Sequence, residues 1–105
     1  MRLILKNNLE ILIMDTQGQL NQNFEIAINI VNNLKKRPTD TELLNVYKLF
    51  KQAKLGNNDT DEPSMLNFNK KAKWSAWKAV YGMSKEDAMQ NYINLAMELF
   101  NKYGS

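Results

Sequence analysis

Neither cysteine nor histidine occurs anywhere in the 105 residues, and these two absences exclude more chemistry than any other feature of the chain. Without Cys there is no disulfide framework, no zinc–thiolate site and no thiol nucleophile. Without His the usual general base near neutral pH and the commonest metal ligand are gone, so triads, dyads and zinc-hydrolase centres fall. A carboxylate-only enzyme remains as a class. Glu42, Glu86 and Asp87, however, stand where helix starts favour acid, which accounts for them without catalysis. The chain is therefore expected to be no enzyme and to use no metal and no cofactor. Charge of one sign is also scarce: 14 basic and 11 acidic side chains sum to +3, weaker than the cationic bias of a dedicated nucleic-acid coat. A long apolar run is missing too. MRLILKNNLEILIMDTQGQ is broken by Lys6 and Glu10, so it cannot supply the roughly 20 apolar residues of a membrane span. It lacks the unbroken apolar centre and small-residue cleavage site of a secretory signal, and its single Arg and its Glu10 disfavour a mitochondrial presequence. A cytoplasmic location is the expectation.

What is present is helical periodicity in a chain long enough for one modest core and too short for two. Leu5, Leu9 and Leu12 recur at helical spacing and allow a short amphipathic helix, and Met14 is an alternative start. Residues 1–20 therefore read as an N-terminal extension and 21–105 as the domain. From Asn21, the residues Phe24, Ala27, Ile28, Val31 and Leu34 fall on one helical face, with Ile26 and Ile30 off the stripe. Lys35-Lys36-Arg37 should close this first helix against its negative end, and Pro38 forbids continuation. Thr39 with Glu42 reads as a capping box. It opens a second helix through Leu43, Val46, Tyr47, Phe50 and Lys54, ending near Gly56. The loop-forming stretch from Gly56 to Ser64 is long enough for a crossover rather than a hairpin reversal. Ala72, Trp74, Ala76, Trp77 and Val80 favour a third helix, stopped around Tyr81-Gly82. Ser84 with Asp87 starts a fourth, whose wide apolar face of Ala88, Tyr92, Leu95, Ala96 and Leu99 runs to a stop at Gly104. Four helices and no sheet are predicted.

Two clusters carry chemistry. Tyr47 and Lys51 lie four residues apart, so a ring and an ammonium address the same side of helix two. Helix three opens with Lys70-Lys71-Ala72-Lys73-Trp74, cations interleaved with an aromatic. Taken alone, each has a plain explanation: a Tyr at the core edge beside a solvated Lys, and tryptophans anchoring a helix whose lysines snorkel into water. Together they meet the needs of a nucleotide, whose base stacks and whose phosphates require charge.

The run PTDTELLNVYKLFKQAKLG from Pro38 to Gly56 closely resembles the signature of the acyl-CoA-binding protein family, also known as diazepam-binding inhibitors or endozepines. The likeness continues through Pro63, Lys71-Ala72-Lys73-Trp74, Ala76-Trp77, Ser84-Lys85-Glu86-Asp87-Ala88, Tyr92 and Lys102-Tyr103-Gly104. It spans about Phe24 to Gly104 and leaves the extension outside. The resemblance implies an all-α, four-helix up-down-down-up bundle that binds medium- to long-chain fatty acyl-CoA as an intracellular carrier and pool former. By position, Tyr47, Lys51 and Lys73 look like the residues that recognise the adenosine 3′-phosphate and adenine, with Tyr92 lining the same site. Ile28, Leu43 and Leu44 match positions along the acyl-chain path. This sequence also departs from the family pattern. Asn32 stands where a Lys on helix one often reaches the ligand, Phe50 replaces a second Tyr, and Ile28 replaces a small Ala. Lys48 and Lys54 replace small residues. The partners implied are the acyl-CoA ligand and, transiently, acyl-CoA-using enzymes and membrane surfaces. A monomer with no specific nucleic acid is expected. The alternative is a helical nucleic-acid or protein-interaction module using the lysine cluster.

Overall fold

The computed structural model describes the backbone from Arg2 to Ser105 and the side chains from Gln17 onward. Its elements are α1 (Arg2–Asn32), α2 (Asp40–Leu55), α3 (Phe68–Lys78) and α4 (Lys85–Tyr103), with no strand among the described residues. The boundary expected between extension and domain is not a break in the backbone, because α1 runs through Leu20 and Asn21 without interruption. The face formed by Leu5, Leu9 and Leu12 lies outside the described side chains. No helix among the described residues is long and apolar enough to cross a membrane.

Local chemistry sets the helix ends. Thr39 Oγ1 accepts the Glu42 N–H and Glu42 Oε1 accepts the Thr39 N–H, so the capping box is complete and two otherwise orphaned donors are satisfied. Ser84 caps α4 through the Asp87 N–H. Gly56 follows α2 at φ 79°, a left-handed backbone that a side chain disfavours, and its N–H closes onto the Gln52 carbonyl. One end differs from expectation. Lys35, Lys36 and Arg37 lie beyond α1 rather than in its last turn. The Lys35 and Lys36 N–H groups instead donate to the Tyr103 carbonyl at 2.8 and 3.2 Å, which satisfies the C-terminal end of α4 rather than that of α1.

That contact places the C-terminal ends of α1 and α4 side by side. Glu42, at the start of α2, accepts from Tyr103 Oη at 2.7 Å and pairs with Lys102 at 3.1 Å, so α2 runs opposite to α4. Gln52, near the end of α2, donates to the Met83 carbonyl just before α4, in keeping with that direction. Trp77 Nε1, near the end of α3, donates to the Gly56 carbonyl just after α2, so α2 and α3 run the same way. The topology is up-down-down-up. Among the described residues, α4 packs on α1 and α2, and α3 packs on α2. The core of Phe24, Ala27, Leu49, Ala53, Ala88, Tyr92, Ala96 and Leu99 sits between α1, α2 and α4. Its four alanines give little side-chain bulk, which lets these helices approach closely.

Glu42 titrates where the ends of α2 and α4 meet. Its carboxyl is held down at about 2, chiefly by the Thr39 backbone N–H, then by the Tyr103 hydroxyl and Lys102. The lowered value means that the ionised carboxylate is favoured by folding. Its contribution is complete above the unfolded value, about 4.3, and is lost as pH falls through about 2. Acid unfolding of Glu42→Gln, followed by circular dichroism, is expected to show a shallower loss of stability across that window. A slope equal to that of the parent would remove Glu42 from the acid response.

Candidate functional site

The polar loop between α2 and α3 builds the site by fixing α3 against α2. Asn57 Oδ1 accepts from Gln52 Nε2 at 3.0 Å and from the Gly82 N–H at 2.7 Å. Asn58 is fully buried; its Nδ2 donates to the Trp74 carbonyl, and its Oδ1 accepts from the Thr60 N–H. Trp74 Nε1 donates to the Thr60 carbonyl and Lys78 Nζ to the Asn58 carbonyl. With the side chains of Gln52 and Asn58 buried, these hydrogen bonds leave little freedom in register. Gln52 Oε1 is buried with no partner.

Held in this register, Lys51 and Lys73 converge on one ring. The Lys51 ammonium lies 5.8 Å from the Tyr47 ring centroid, and the Lys73 ammonium lies 5.5 Å from it. Lys51 also sits 5.4 Å from the Trp77 ring. Among the described residues, neither ammonium is within ion-pair distance of a carboxylate; the ion pairs are Arg37–Asp40, Lys54–Glu25, Lys71–Glu62 and Lys102–Glu42. Two cations from different helices, without carboxylate partners and resting on aromatic faces, make a site poised for an anion.

Two spaces meet at Tyr47 and Lys73. The smaller, about 210 Å³, is walled by Tyr47, Thr60, Asp61, Lys70, Lys73 and the two tryptophans. The larger, about 730 Å³, runs along the first half of α2 past Leu43 and Leu44, with Phe68, Ala72 and Lys73 opposite and Arg37 and Asp40 at its end. The first is aromatic and cationic; the second mixes the apolar side chains of Leu43, Leu44, Phe68 and Ala72 with polar ones in near-equal share and is of a size suited to a small-molecule ligand. One amphiphile could occupy both.

Of the residues expected at a ligand, the structure brings Tyr47, Lys73, Leu43 and Leu44 to these spaces; Lys51 lines neither, and its ammonium lies beside the Tyr47 and Trp77 rings. It does not bring Tyr92, Phe50, Ile28 or Asn32 there. Tyr92 is only 3% exposed and makes an edge contact with Phe24 at 5.1 Å. Burial pushes its hydroxyl up to about 12. Phe50 is half-buried in the same aromatic cluster, Ile28 packs against the core, and Asn32 is exposed at the end of α1. Lys54, one of the departures noted above, ties α2 to α1 by pairing with Glu25 at 3.1 Å and lying 5.4 Å from the Phe24 ring. Arg37, Phe68 and Ala72 were not foreseen as lining residues. Trp77 was read as a helix anchor and as part of the family likeness, without a place at the ligand. No group of His, Cys, Asp and Glu able to hold a metal occurs among the described residues.

Fold and site together define a class: a helical bundle with a cationic, aromatic anion site opening into a cleft lined in part by apolar side chains. A family model described as acyl-CoA-binding protein matches residues 21–96, and the chain belongs to that family. It is 46% identical over 82 residues to acyl-CoA-binding protein homolog 1 of Caenorhabditis elegans, covering 78% of this chain and 95% of that protein. The Drosophila melanogaster homolog is 45% identical over 84 residues, covering 80% and 98%. The crystal structure of Oryza sativa acyl-CoA-binding protein 2 superposes with a TM-score of 0.75 at 36% identity, covering 79% of this chain and 92% of that one.

Proposed function

We propose that this protein binds medium- to long-chain fatty acyl-CoA as a non-catalytic carrier and pool former in the cytoplasm, acting as a monomer. In this reading Lys51 and Lys73 neutralise the 3′-phosphate, Tyr47 meets the adenine, and the acyl chain follows Leu43 and Leu44 past Phe68 and Ala72. Residues 21–105 form the binding unit, with 1–20 outside it. Ile28, Asn32, Phe50 and Tyr92 line neither space and are left outside the proposed ligand contact. The observation that carries the proposal is the junction of two unlike spaces at Tyr47 and Lys73, one aromatic and cationic, the other carrying the apolar surface of Leu43, Leu44, Phe68 and Ala72. Charge alone would bind every nucleotide and apolar surface alone every lipid. Their junction selects a ligand with both ends.

Calorimetry with free CoA, short-chain and long-chain acyl-CoA tests this. Affinity is expected to rise with chain length, by at most about 0.8 kcal/mol for each methylene buried, until the cleft is full. Equal affinity for free CoA and palmitoyl-CoA would sink the proposal. An RNA-binding module would instead ignore the chain and lose affinity steeply with salt.

A further inference from the structure

The large cleft is polar at both ends and apolar between them. Because α2 and α3 run the same way with Lys73 beside the Tyr47 ring, each residue earlier on α3 stands beside one earlier on α2. Tyr47 and Lys73 therefore mark the end shared with the small pocket. The apolar side chains of Leu43, Leu44, Phe68 and Ala72 follow, and Arg37 and Asp40 close the line, with Asn69 on the α3 side one turn before Lys73. Tyr47 and Asp40 are about two turns apart on α2, roughly 10 Å, so the apolar stretch is short. A methyl terminus that reaches Arg37 and Asp40 gains little there, since it takes water from charged groups without replacing the hydrogen bonds.

What the far end offers a ligand is a donor and an acceptor side by side. Arg37 Nη2 donates to Asp40 Oδ1 at 3.0 Å, and Arg37 Nη1 reaches the Pro38 carbonyl at 3.4 Å. The two side chains are 71% and 87% exposed, and members of so exposed a pair can turn toward a ligand at small cost. The guanidinium keeps further N–H donors and the carboxylate further lone pairs. A hydroxyl group needs one of each. A carboxylate terminus would find only Arg37 and would be opposed by the charge of Asp40.

We propose that the cleft takes acyl-CoA whose chain ends in a hydroxyl, with Asp40 accepting the hydrogen bond of that hydroxyl and Arg37 donating to its oxygen. The proposal rests on the carrier reading and deepens it. Lys51, Lys73 and Tyr47 hold the head group, while Arg37 and Asp40 choose among chain ends.

Calorimetry of the full-length protein with straight-chain acyl-CoA and with the matching ω-hydroxyacyl-CoA, over a series of chain lengths, tests this. At one length or two neighbouring ones the hydroxyl should tighten binding about two- to fivefold, the gain of one exposed hydrogen bond. At shorter lengths it would lie against Leu43, Leu44, Phe68 and Ala72 without a partner and should weaken binding by roughly tenfold. In Arg37→Met and in Asp40→Leu the preference for the hydroxyl should vanish or invert at the length where the parent shows it. Arg37 precedes α2, so its substitution leaves the capping box of Thr39 and Glu42 in place. Equal affinity of the two series at every length would overturn the proposal, because the chain end would then be met by water alone. So would a penalty for the hydroxyl at every length, or a gain that survives both substitutions. Failure of the carrier reading looks different: neither series would bind better than free CoA, whereas failure of this proposal alone leaves the unsubstituted chains binding more tightly as they lengthen.

Discussion

Replacing Lys51 or Lys73 by Ala is expected to weaken binding of a long-chain acyl-CoA by about 1.5–3 kcal/mol, the range of a hydrogen bond to a charged group. The expectation follows from geometry. Both ammoniums lie within 5.8 Å of the Tyr47 ring centroid, neither has a carboxylate to neutralise it, and they come from helices held in register by buried amides. A dianionic phosphate placed between them would gain from both, whereas a surface ion pair gives about 0–1 kcal/mol. Fold stability should change little. Lys73 is exposed, and Lys51 would lose only its contacts with the Tyr47 and Trp77 rings, worth about 0.5–1 kcal/mol at exposed sites. Acyl-dephospho-CoA is the control. Against a ligand without the 3′-phosphate, either substitution should cost little more, and the double-mutant cycle between protein and ligand isolates the contact. Equal losses with both ligands would mean that the lysines act as a diffuse field, with no particular phosphate oxygen between them.

The largest effect on stability is expected at Phe24. It is 1% exposed and meets Tyr92 edge-on at 5.1 Å and Phe50 at 6.4 Å. Phe24→Ala should cost about 3–5 kcal/mol, the range for removing a buried ring and leaving a cavity that its neighbours fill only in part. For a domain whose total stability is about 5–15 kcal/mol, that approaches the threshold of folding. Urea unfolding of Phe24→Ala and the milder Phe24→Leu would measure it. Leucine should retain most of the stability. A loss below about 1 kcal/mol for the alanine variant would show that α1 contributes less to the core than its burial implies. Because Phe24 lies on the α1 side, Phe24→Leu is also expected to leave Tyr47, Lys51 and Lys73 in place. It thus separates packing from recognition.

The sequence by itself determined the number of helices, most of their ends and the residues that fill the core. Those are decided within a turn or two of chain. The Thr39 and Glu42 capping box, the Ser84 cap, the left-handed Gly56 and the spacing of Phe24, Ala27, Ala88, Ala96 and Leu99 all act through hydrogen bonds or faces a few residues long. The family signature was legible for the same reason, being largely made of such caps and faces. Only the tertiary structure decided that Lys73 joins Lys51 at the Tyr47 ring, that Phe68 and Ala72 face Leu43 and Leu44, and that Tyr92 and Phe50 turn into the core with Phe24. It also moved Lys35 and Lys36 from the end of α1 to the carbonyl of Tyr103. The physical reason is separation along the chain. Lys51 and Lys73 belong to helices joined by a long crossover, and their meeting depends on the register that Gln52, Asn57 and Asn58 impose through bonds to Met83, Gly82 and Trp74. Periodicity places a side chain on a face of its own helix, but which neighbour that face meets is settled only when the helices pack.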